Sequence, residues 1–271
     1  MSNVYMMRQK ASSGDEAVLG RVLLIGAIAL AAALVVYLAV RFVLIPMTVI
    51  RNVTVESDVG LTREEIQSLM ALKASESWFT FETAAVQKRL ETHALVRKAR
   101  VEKAFPDQLR VYLYRREASA LVLGETGGRS VPVLVDRDGY VFKIGGTSAD
   151  VDLPVVSGIP AGEAALGSRL PSVYAALFSD LAALRAASPS LYKLISEVRV
   201  VSAAPAAEGS TELRLFLTNS TVPVRVRGGI DETMLKYVLM VLDLLSKQGV
   251  LKNIDELDFR GGDVVYRMKE G

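Results

Sequence analysis

The 271-residue chain contains no cysteine and only one histidine. The missing cysteine excludes a disulfide scaffold, a thiolate zinc or iron–sulfur site and a cysteine nucleophile. The single histidine, His93, excludes most histidine-rich metal sites and leaves a Ser-His-Asp triad only one possible base. The chain also lacks a G-x-S-x-G nucleophile motif. We therefore predict a protein that is not an enzyme and that holds no metal or other cofactor.

Net charge is also nearly absent, because 32 Lys and Arg balance 30 Asp and Glu to leave +2. Apolar residues make up 51% of the chain but are unevenly spread. Residues 22–40 carry no charge, and at 1.5 Å per residue this run reaches about 28 Å, close to the hydrocarbon thickness of a bilayer. The sequence predicts a membrane-spanning helix over residues 22–45, which Pro46 ends.

The flanks of this run decide between an anchor and a cleavable signal peptide. A signal peptide has an apolar region of about 7–15 residues followed by small residues, whereas this run is longer and is followed by Arg41 and Phe42. An uncleaved anchor is therefore favoured. Three basic residues precede the run and two closely follow it, and the tail of residues 1–21 is short. This bias predicts a cytoplasmic N-terminus and an extracytoplasmic C-terminal part.

A first module is predicted directly after the anchor. Its order is β-α-α-β-β: a strand at 49–55, helices at 63–72 and 83–92, and strands at 99–104 and 109–114. Thr62 and Glu65 have the spacing of a capping box at the start of the first helix. The turn 105–108 contains a proline at its second position. The aromatic residues at 78–81 are predicted to pack in the core between helix and sheet.

The remaining chain predicts a second module rich in short strands. A hairpin at 131–144 turns at Asp136-Arg137-Asp138-Gly139, where we assign the two aspartates to the turn and not to a calcium loop, because further ligands are missing. The other predicted elements are strands at 153–158, 195–201, 213–217 and 222–226, a helix at 172–187, a helix capped by Asp231 and closed at Gly249, and a final strand, turn and strand at 254–267.

Basic residues are concentrated in the first module. Nine of them lie between Lys88 and Arg116, against three acidic residues. The simplest interpretation is a solvated, soluble face, and the alternatives are anionic lipid headgroups or an acidic partner. No aromatic platform alternates with the basic residues, so nucleic acid is not predicted as a partner.

Several motifs, in order and at the expected distance from the span, resemble the FtsQ/DivIB family of bacterial cell division proteins. They are Leu95-Val96-Arg97-Lys98-Ala99-Arg100-Val101, Phe105-Pro106-Asp107-Gln108-Leu109-Arg110-Val111 and Arg115-Arg116-Glu117-Ala118, then 135–142, 153–158 and Leu257-Asp258-Phe259-Arg260. The resemblance implies an α+β fold with a single transmembrane helix, a POTRA domain and a mostly antiparallel β domain with flanking helices. The implied boundaries are 1–21 for the tail, 22–45 for the span, 46–116 for the POTRA domain and 117–271 for the β domain.

The same resemblance implies a function and its partners. Members of this family are non-enzymatic scaffolds of the inner membrane at the division septum. They bind an FtsB/FtsL-like complex by strand addition, and FtsK-like and FtsW/FtsI-like proteins are further expected partners; no small-molecule substrate is expected. The implied partner-binding residues are Arg260, Val264, Val265, Tyr266 and Arg267. A free edge at the last strand offers unpaired backbone groups to such a partner, so Val265→Pro is expected to abolish binding in a folded domain.

Three other interpretations stay open from the residues alone. The last strand can simply close the sheet, with basic residues that blunt its edge. The POTRA-like module also occurs in envelope assembly or secretion factors, which is the alternative function. An anchored hydrolase is the weakest, since nothing predicted assembles nucleophile, base and oxyanion donors.

Overall fold

The N-terminal apolar run forms a single long helix. The computed structural model describes residues 13–44, 47–73, 76–126, 128–145, 152–159, 165–202, 211–261 and 263–269. Helix α1 covers Ser13–Ala39 and continues as a π-helical turn, Val40–Leu44. Within it, Gly20–Val43 is long and apolar enough to cross a membrane, and none of it is buried. The helix begins before the predicted residue 22, and its predicted end at Pro46 lies outside the described residues.

The first module has the predicted β-α-α-β-β order. Its strands are β1 (Asn52–Ser57), β2 (Val96–Ala104) and β3 (Gln108–Arg115), and its helices are α2 (Arg63–Met70) and α3 (Thr83–Glu91). The sheet order is β1-β3-β2, with β1 parallel and β2 antiparallel to the central strand β3. The predicted capping box is present, since the N–H of Thr62 donates to Glu65 at 2.7 Å and the N–H of Glu65 donates to the Thr62 hydroxyl at 3.2 Å.

Alternating apolar residues explain why this module is stable. The two helices place one stripe each on the sheet, where Leu109 and Val111 are at most 1% exposed. Burying such side chains contributes about 1.5–3 kcal/mol each. The prediction for the aromatic segment is only partly right. Phe81 is buried in this core at 3% exposure, but Phe79 is 62% exposed and Trp78 is half-buried.

The second module is a nine-stranded mixed sheet with helices on one face. The strand order is β12-β11-β10-β9-β8-β7-β4-β5-β6, with five antiparallel and three parallel pairings. This arrangement confirms the predicted, mostly antiparallel β region with flanking helices. The strands are β4 (Ala118–Thr126), β5 (Arg129–Asp136), β6 (Val141–Ile144), β7 (Val155–Ser157), β8 (Ile195–Ser202), β9 (Glu212–Leu217), β10 (Val224–Arg227), β11 (Ile254–Asp258) and β12 (Val265–Met268).

The helices of this module cover one face of the sheet. They are α4 (Ala175–Ala187), preceded by a 3₁₀ turn (Ser172–Tyr174), then α5 (Pro189–Tyr192) and α6 (Glu232–Lys247), followed by a 3₁₀ turn (Leu251–Asn253). One buried cluster joins Phe178 of α4, Val238 of α6 and Leu257 of β11. Asp231 caps α6 as predicted, accepting the N–H of Met234 at 2.7 Å. Strand β4 and helix α5 were not predicted, and residues 203–210, predicted as a connection, lie outside the described residues.

A buried ion pair links the two modules. Arg116, whose backbone N–H donates to Leu95 of the first module, extends its guanidinium to the carboxylate of Asp136 at 2.6 Å. The side chains are 9% and 1% exposed. Asp136 does serve the predicted turn, because its other oxygen accepts the N–H groups of Asp138 and Tyr140, both at 2.9 Å. The last strand of the first module is therefore held against the second.

Candidate partner-binding edge

Strand β12 forms one outer edge of the nine-stranded sheet. Within the described ranges it pairs only with β11, antiparallel, and a bulge interrupts the register near Asp255. Its side chains are open to solvent: Val265 is 63% exposed, Tyr266 49% and Met268 48%. The strand is thus an uncovered edge with large apolar side chains, which is the kind of edge that pairs with another chain.

Backbone hydrogen bonds show which groups of β12 point outward. Leu257 donates its N–H to the carbonyl of Pro223, just before β10, at 3.0 Å, and Phe259 donates to Arg225 of β10 at 2.8 Å, so the backbone groups of Glu256 and Asp258 face β12. Lys269 donates to Asn253 at 2.8 Å, on the β11 side. Successive residues of a strand direct their N–H and C=O groups to opposite sides. The hydrogen bonds of β11 and the bond from Lys269 therefore agree on which backbone groups of β12 face β11.

The residues of β12 divide accordingly into two sets. Val265 and Arg267 pair with Asp258 and Glu256 and use their backbone groups within the sheet. Tyr266 and Met268 turn their N–H and C=O groups to the open side. The expectation for Val265→Pro is therefore corrected, because that substitution would remove an N–H that faces β11 and would loosen the edge strand itself.

The two faces of the edge differ in chemistry. Tyr266 stands opposite Leu257, which is fully buried among the core residues beneath α6, so Tyr266 and Met268 extend the apolar face past the end of the sheet. Beside it, Tyr237 of α6 packs edge-on against Phe259 with ring centroids 5.5 Å apart. Two more apolar residues of this helix, Met240 and Leu244, are 60% and 54% exposed.

The opposite face of the sheet carries a mosaic of ion pairs that reaches the edge. Arg214 binds Glu256 at 2.7 Å, and Arg267 contacts the same carboxylate at 3.7 Å and Asp255 at closer range. Further pairs on this face join Arg225, Arg227 and Arg260 to Glu212, and Arg199 to Glu197. A partner strand at β12 would thus meet charge on one side and apolar surface on the other.

Arg260 lies at the end of β11 and is engaged within its own chain. Its Nη1 donates to both carboxylate oxygens of Glu212 at 3.1 Å, and its Nη2 donates to Asp258 at 2.6 Å. This hydrogen bond lowers the pKa of Asp258 below its ordinary value. The pKa of Glu212 is lowered chiefly by its hydrogen bond from Arg227, and then by Arg260. The two carboxylates in turn raise the pKa of Arg260.

The structure brings four of the five predicted residues together. Val265, Tyr266 and Arg267 lie on β12, and Val264 directly precedes it, partly buried against the core. Arg260 belongs to the neighbouring network. Sequence reasoning missed Met268, although alternation from Tyr266 places it on the same side. It also missed the apolar flank of α6, because an exposed apolar residue on an amphipathic helix looks like part of its buried stripe.

Two family models match the chain. The model of the FtsQ-type POTRA domain matches residues 48–115. The model of the C-terminal part of the cell division protein FtsQ/DivIB matches residues 125–260, half of the chain by itself. The chain belongs to the FtsQ/DivIB family. Since both models are FtsQ-type, they favour the cell division interpretation over an envelope assembly or secretion factor.

Individual FtsQ proteins show the same similarity. The chain is 28% identical over 205 residues to FtsQ of Myxococcus fulvus, covering 73% of this chain and 66% of that protein. It is 32% identical over 110 residues to FtsQ of Anaeromyxobacter sp. strain K (41% and 36%) and 29% over 110 residues to FtsQ of Syntrophotalea carbinolica (41% and 37%). The aligned part covers less than two thirds of each relative.

Membership of the FtsQ family gives this chain a role in cell division. The single N-terminal apolar helix, Gly20–Val43, fits a single-pass membrane protein of that family. The resemblance carried by the sequence motifs is thus confirmed by the family models.

Proposed function

We propose that this FtsQ-family chain is a non-enzymatic scaffold of the divisome that binds an FtsB/FtsL-like complex by strand addition at β12. The observation that carries the proposal is the direction of the backbone groups of Tyr266 and Met268, which point away from the sheet. The non-enzymatic part of the proposal is supported by the only histidine, His93, which makes a structural contact: its Nδ1 accepts the N–H of Leu95 at 3.3 Å. FtsK-like and FtsW/FtsI-like proteins are further proposed partners.

The magnitudes show that backbone pairing alone does not suffice. Two outward residues offer two N–H and two C=O groups, and each hydrogen bond contributes a net 0.5–1.5 kcal/mol, so about 2–6 kcal/mol in all. Micromolar binding needs about 8 kcal/mol. The remainder must come from side chains, and the proposed residues divide by face. Tyr266 offers an apolar side chain to the partner, and Val264 and Val265 form the start of the edge strand. Arg267 and Arg260 lie on the charged face, where they meet an acidic partner residue.

A proline at position 266 tests the edge directly. Tyr266→Pro removes an outward N–H while its fixed φ is compatible with an edge strand, so we expect the full chain, in lipid nanodiscs, to lose at least about ten-fold in affinity for the FtsB/FtsL-like complex. Tyr266→Ala is the matched control, because it removes the side chain and keeps the N–H. Hydrogen exchange of β11 checks that the sheet persists. Equal affinities of the proline and alanine variants would contradict strand addition.

We further propose the domain boundaries and orientation drawn from the sequence. Residues 1–21 then lie in the cytoplasm, 22–45 cross the inner membrane, and 46–116 and 117–271 lie outside it at the septum. Because the chain has no cysteine, single-cysteine variants give a clean test. An impermeant maleimide should label Asn219→Cys, in an exposed turn after β9, without lysis of the inner membrane, and Ser2→Cys only after lysis. The reverse pattern would overturn the orientation.

A further inference from the structure

The first module exposes a group of aromatic side chains at one end. Phe79 and Phe105 are 62% and 66% exposed. Their ring centroids lie 5.3 and 5.8 Å from that of Trp78, and both pairs are edge-on. We name these three residues the aromatic cap. Exposed aromatic rings in contact with one another are costly in water, and nothing in the part of the chain that the structure describes covers them.

The cap lies at the end of the module where the anchor enters. The backbone N–H of Trp78 donates to the carbonyl of Thr48 at 2.7 Å, and Val49 forms a bridge with Ser77. Thr48 follows Val43, the last residue of the apolar span, by five residues. At no more than about 3.6 Å per residue, Thr48 lies within about 18 Å of the end of the span. The cap is therefore tethered close to the lipid–water interface.

The surroundings of the cap indicate what kind of surface it fits. Lys103 is 4.7 Å from the Trp78 ring centroid, and its Nζ donates to the carbonyls of Trp78 and Phe81 at 2.9 and 3.3 Å. This cation supports the cap from within the module. Residues of both charge signs lie close by in the backbone: the carbonyl of Glu76 accepts the N–H of Ile50, and the carbonyl of Asp107, which follows Phe105 in the same turn, accepts the N–H of Arg51. The cap is thus apolar and aromatic, and its surroundings carry both acidic and basic residues.

We propose that the aromatic cap inserts into the interfacial region of the bilayer that holds the chain's own anchor. Tryptophan and other amphipathic rings are enriched at that depth, where the ring contacts acyl chains and the polar surroundings remain wet. Met47, which is 62% exposed and lies between the span and Thr48, extends the same apolar surface. The opposite end of the module, where β3 passes to β4, then points away from the membrane.

The chain provides its own probe, because Trp78 is its only tryptophan. The full chain is reconstituted into phosphatidylcholine vesicles whose acyl chains are brominated near the glycerol end. Because interfacial tryptophan lies at the depth of these bromine atoms, we expect Trp78 fluorescence to fall by roughly two-fold or more relative to unbrominated vesicles and to be shielded from acrylamide. Unchanged emission together with full access to acrylamide would overturn the proposal, and would leave the cap to a protein partner.

Matched variants test whether the exposed rings cause the insertion. The double variant Phe79→Ser and Phe105→Ser, at two exposed positions, should lose most of the quenching by brominated lipid. The control Leu123→Ser, at a 50% exposed residue of β4, should retain it. Replacing part of the phosphatidylcholine with an anionic lipid should leave quenching unchanged. Quenching that appears only with anionic lipid, or that survives in the double variant, would contradict insertion driven by the aromatic rings.

Discussion

Arg260 shows how one residue can support an edge strand without lying on it. It connects Asp258 at the end of β11 with Glu212 at the start of β9, two strands away. Both carboxylates lie on the charged face, and their partial burial makes unpaired charge costly there. The position of β11, and therefore of the edge strand beside it, depends on this network. Its contribution should vary with pH.

The sign of this pH dependence follows from the two carboxyl groups. The pKa values of Asp258 and Glu212 are lowered in the folded chain. Their stabilisation is therefore complete above the ordinary carboxyl pKa of about 4 and is lost as the pH falls through the folded values. We expect Arg260→Gln to lower the thermal midpoint at pH 7, and the difference from wild type to shrink below about pH 4. Circular dichroism of the full chain in detergent measures both.

A control for this experiment comes from an exposed ion pair. Lys247 and Asp243 are one turn apart on α6, at 2.6 Å, with side chains 73% and 61% exposed. Such pairs contribute little because water screens them, so Lys247→Gln should leave the midpoint nearly unchanged at either pH. If the midpoint difference between Arg260→Gln and wild type is the same at pH 7 and at pH 3, then protonation of Asp258 and Glu212 does not remove the stabilisation that Arg260 provides, and the prediction is wrong.

At the residue scale, sequence predicts what is local and misses what is distant. The Asp136 turn and the Thr62 capping box were predictable because their partners are two to four residues away. The second role of Asp136, as partner of Arg116, depends on a residue twenty positions earlier that reaches it only after the modules have folded. A run of basic residues in the sequence gives no sign that Arg116, unlike its neighbours, is buried.

Among the elements, the short strand β7 has the most demanding position. It lies between β8 and β4, parallel to both, and is followed by Gly158 with φ of +77°. A Cβ added at Gly158 would lie 2.3 Å from the carbonyl oxygen of Val200 on β8. This close approach lets the chain leave β7 without pushing β8 away.

Gly158→Ala is therefore expected to be strongly destabilising. The left-handed backbone costs an alanine about 1–2 kcal/mol, and the contact with Val200 requires a backbone shift that raises the total loss of stability to roughly 3 kcal/mol or more. Gly249→Ala is the matched control, because Gly249 has φ of +71° and nothing lies within 4 Å of its added Cβ. Thermal unfolding of both variants in detergent separates the two terms. Equal losses would show that the contact with Val200 relaxes at no cost.

Helices and strands whose apolar residues recur at a regular spacing were predictable from the sequence, and elements without such a spacing were not. The β-α-α-β-β order and helix α6 follow from alternation, helical spacing and caps. Strand β4 was missed because it lies centrally between β5 and β7, and its small residues and Gly124 give no alternation. The misassigned Phe79 illustrates the remaining limit: an aromatic residue next to a buried one looks like core, and only the fold shows that it faces outward.

At the scale of the whole molecule, the Arg116–Asp136 pair is the decisive connection. Only Arg116 and Glu117 separate β3 from β4. The Arg116 guanidinium also lies over the Tyr140 ring, 3.8 Å from its centroid. A buried charge with its partner removed is strongly destabilising, by about 3–5 kcal/mol.

We expect Asp136→Asn to destabilise the full chain by about 3 kcal/mol, since the amide oxygen can keep the turn but leaves Arg116 unpaired. Asp138→Asn is the control, because its carboxylate meets Arg97 at 3.6 Å with both side chains more than 40% exposed; this change should cost less than about 1 kcal/mol. Thermal unfolding followed by circular dichroism reports the loss. A similar cost for both variants would mean that the buried pair does not hold the junction.

The shortness of the connection has a consequence for any partner that is itself anchored in the same membrane. Two residues separate β3 from β4, and a buried ion pair holds this connection. The second module, and with it the last strand, therefore has little freedom to move relative to the first module. Under the proposed strand addition, such a partner would have to bring its own pairing strand to the distance from the first module that this joint sets. The number of residues between the partner's anchor and that strand would then contribute to recognition.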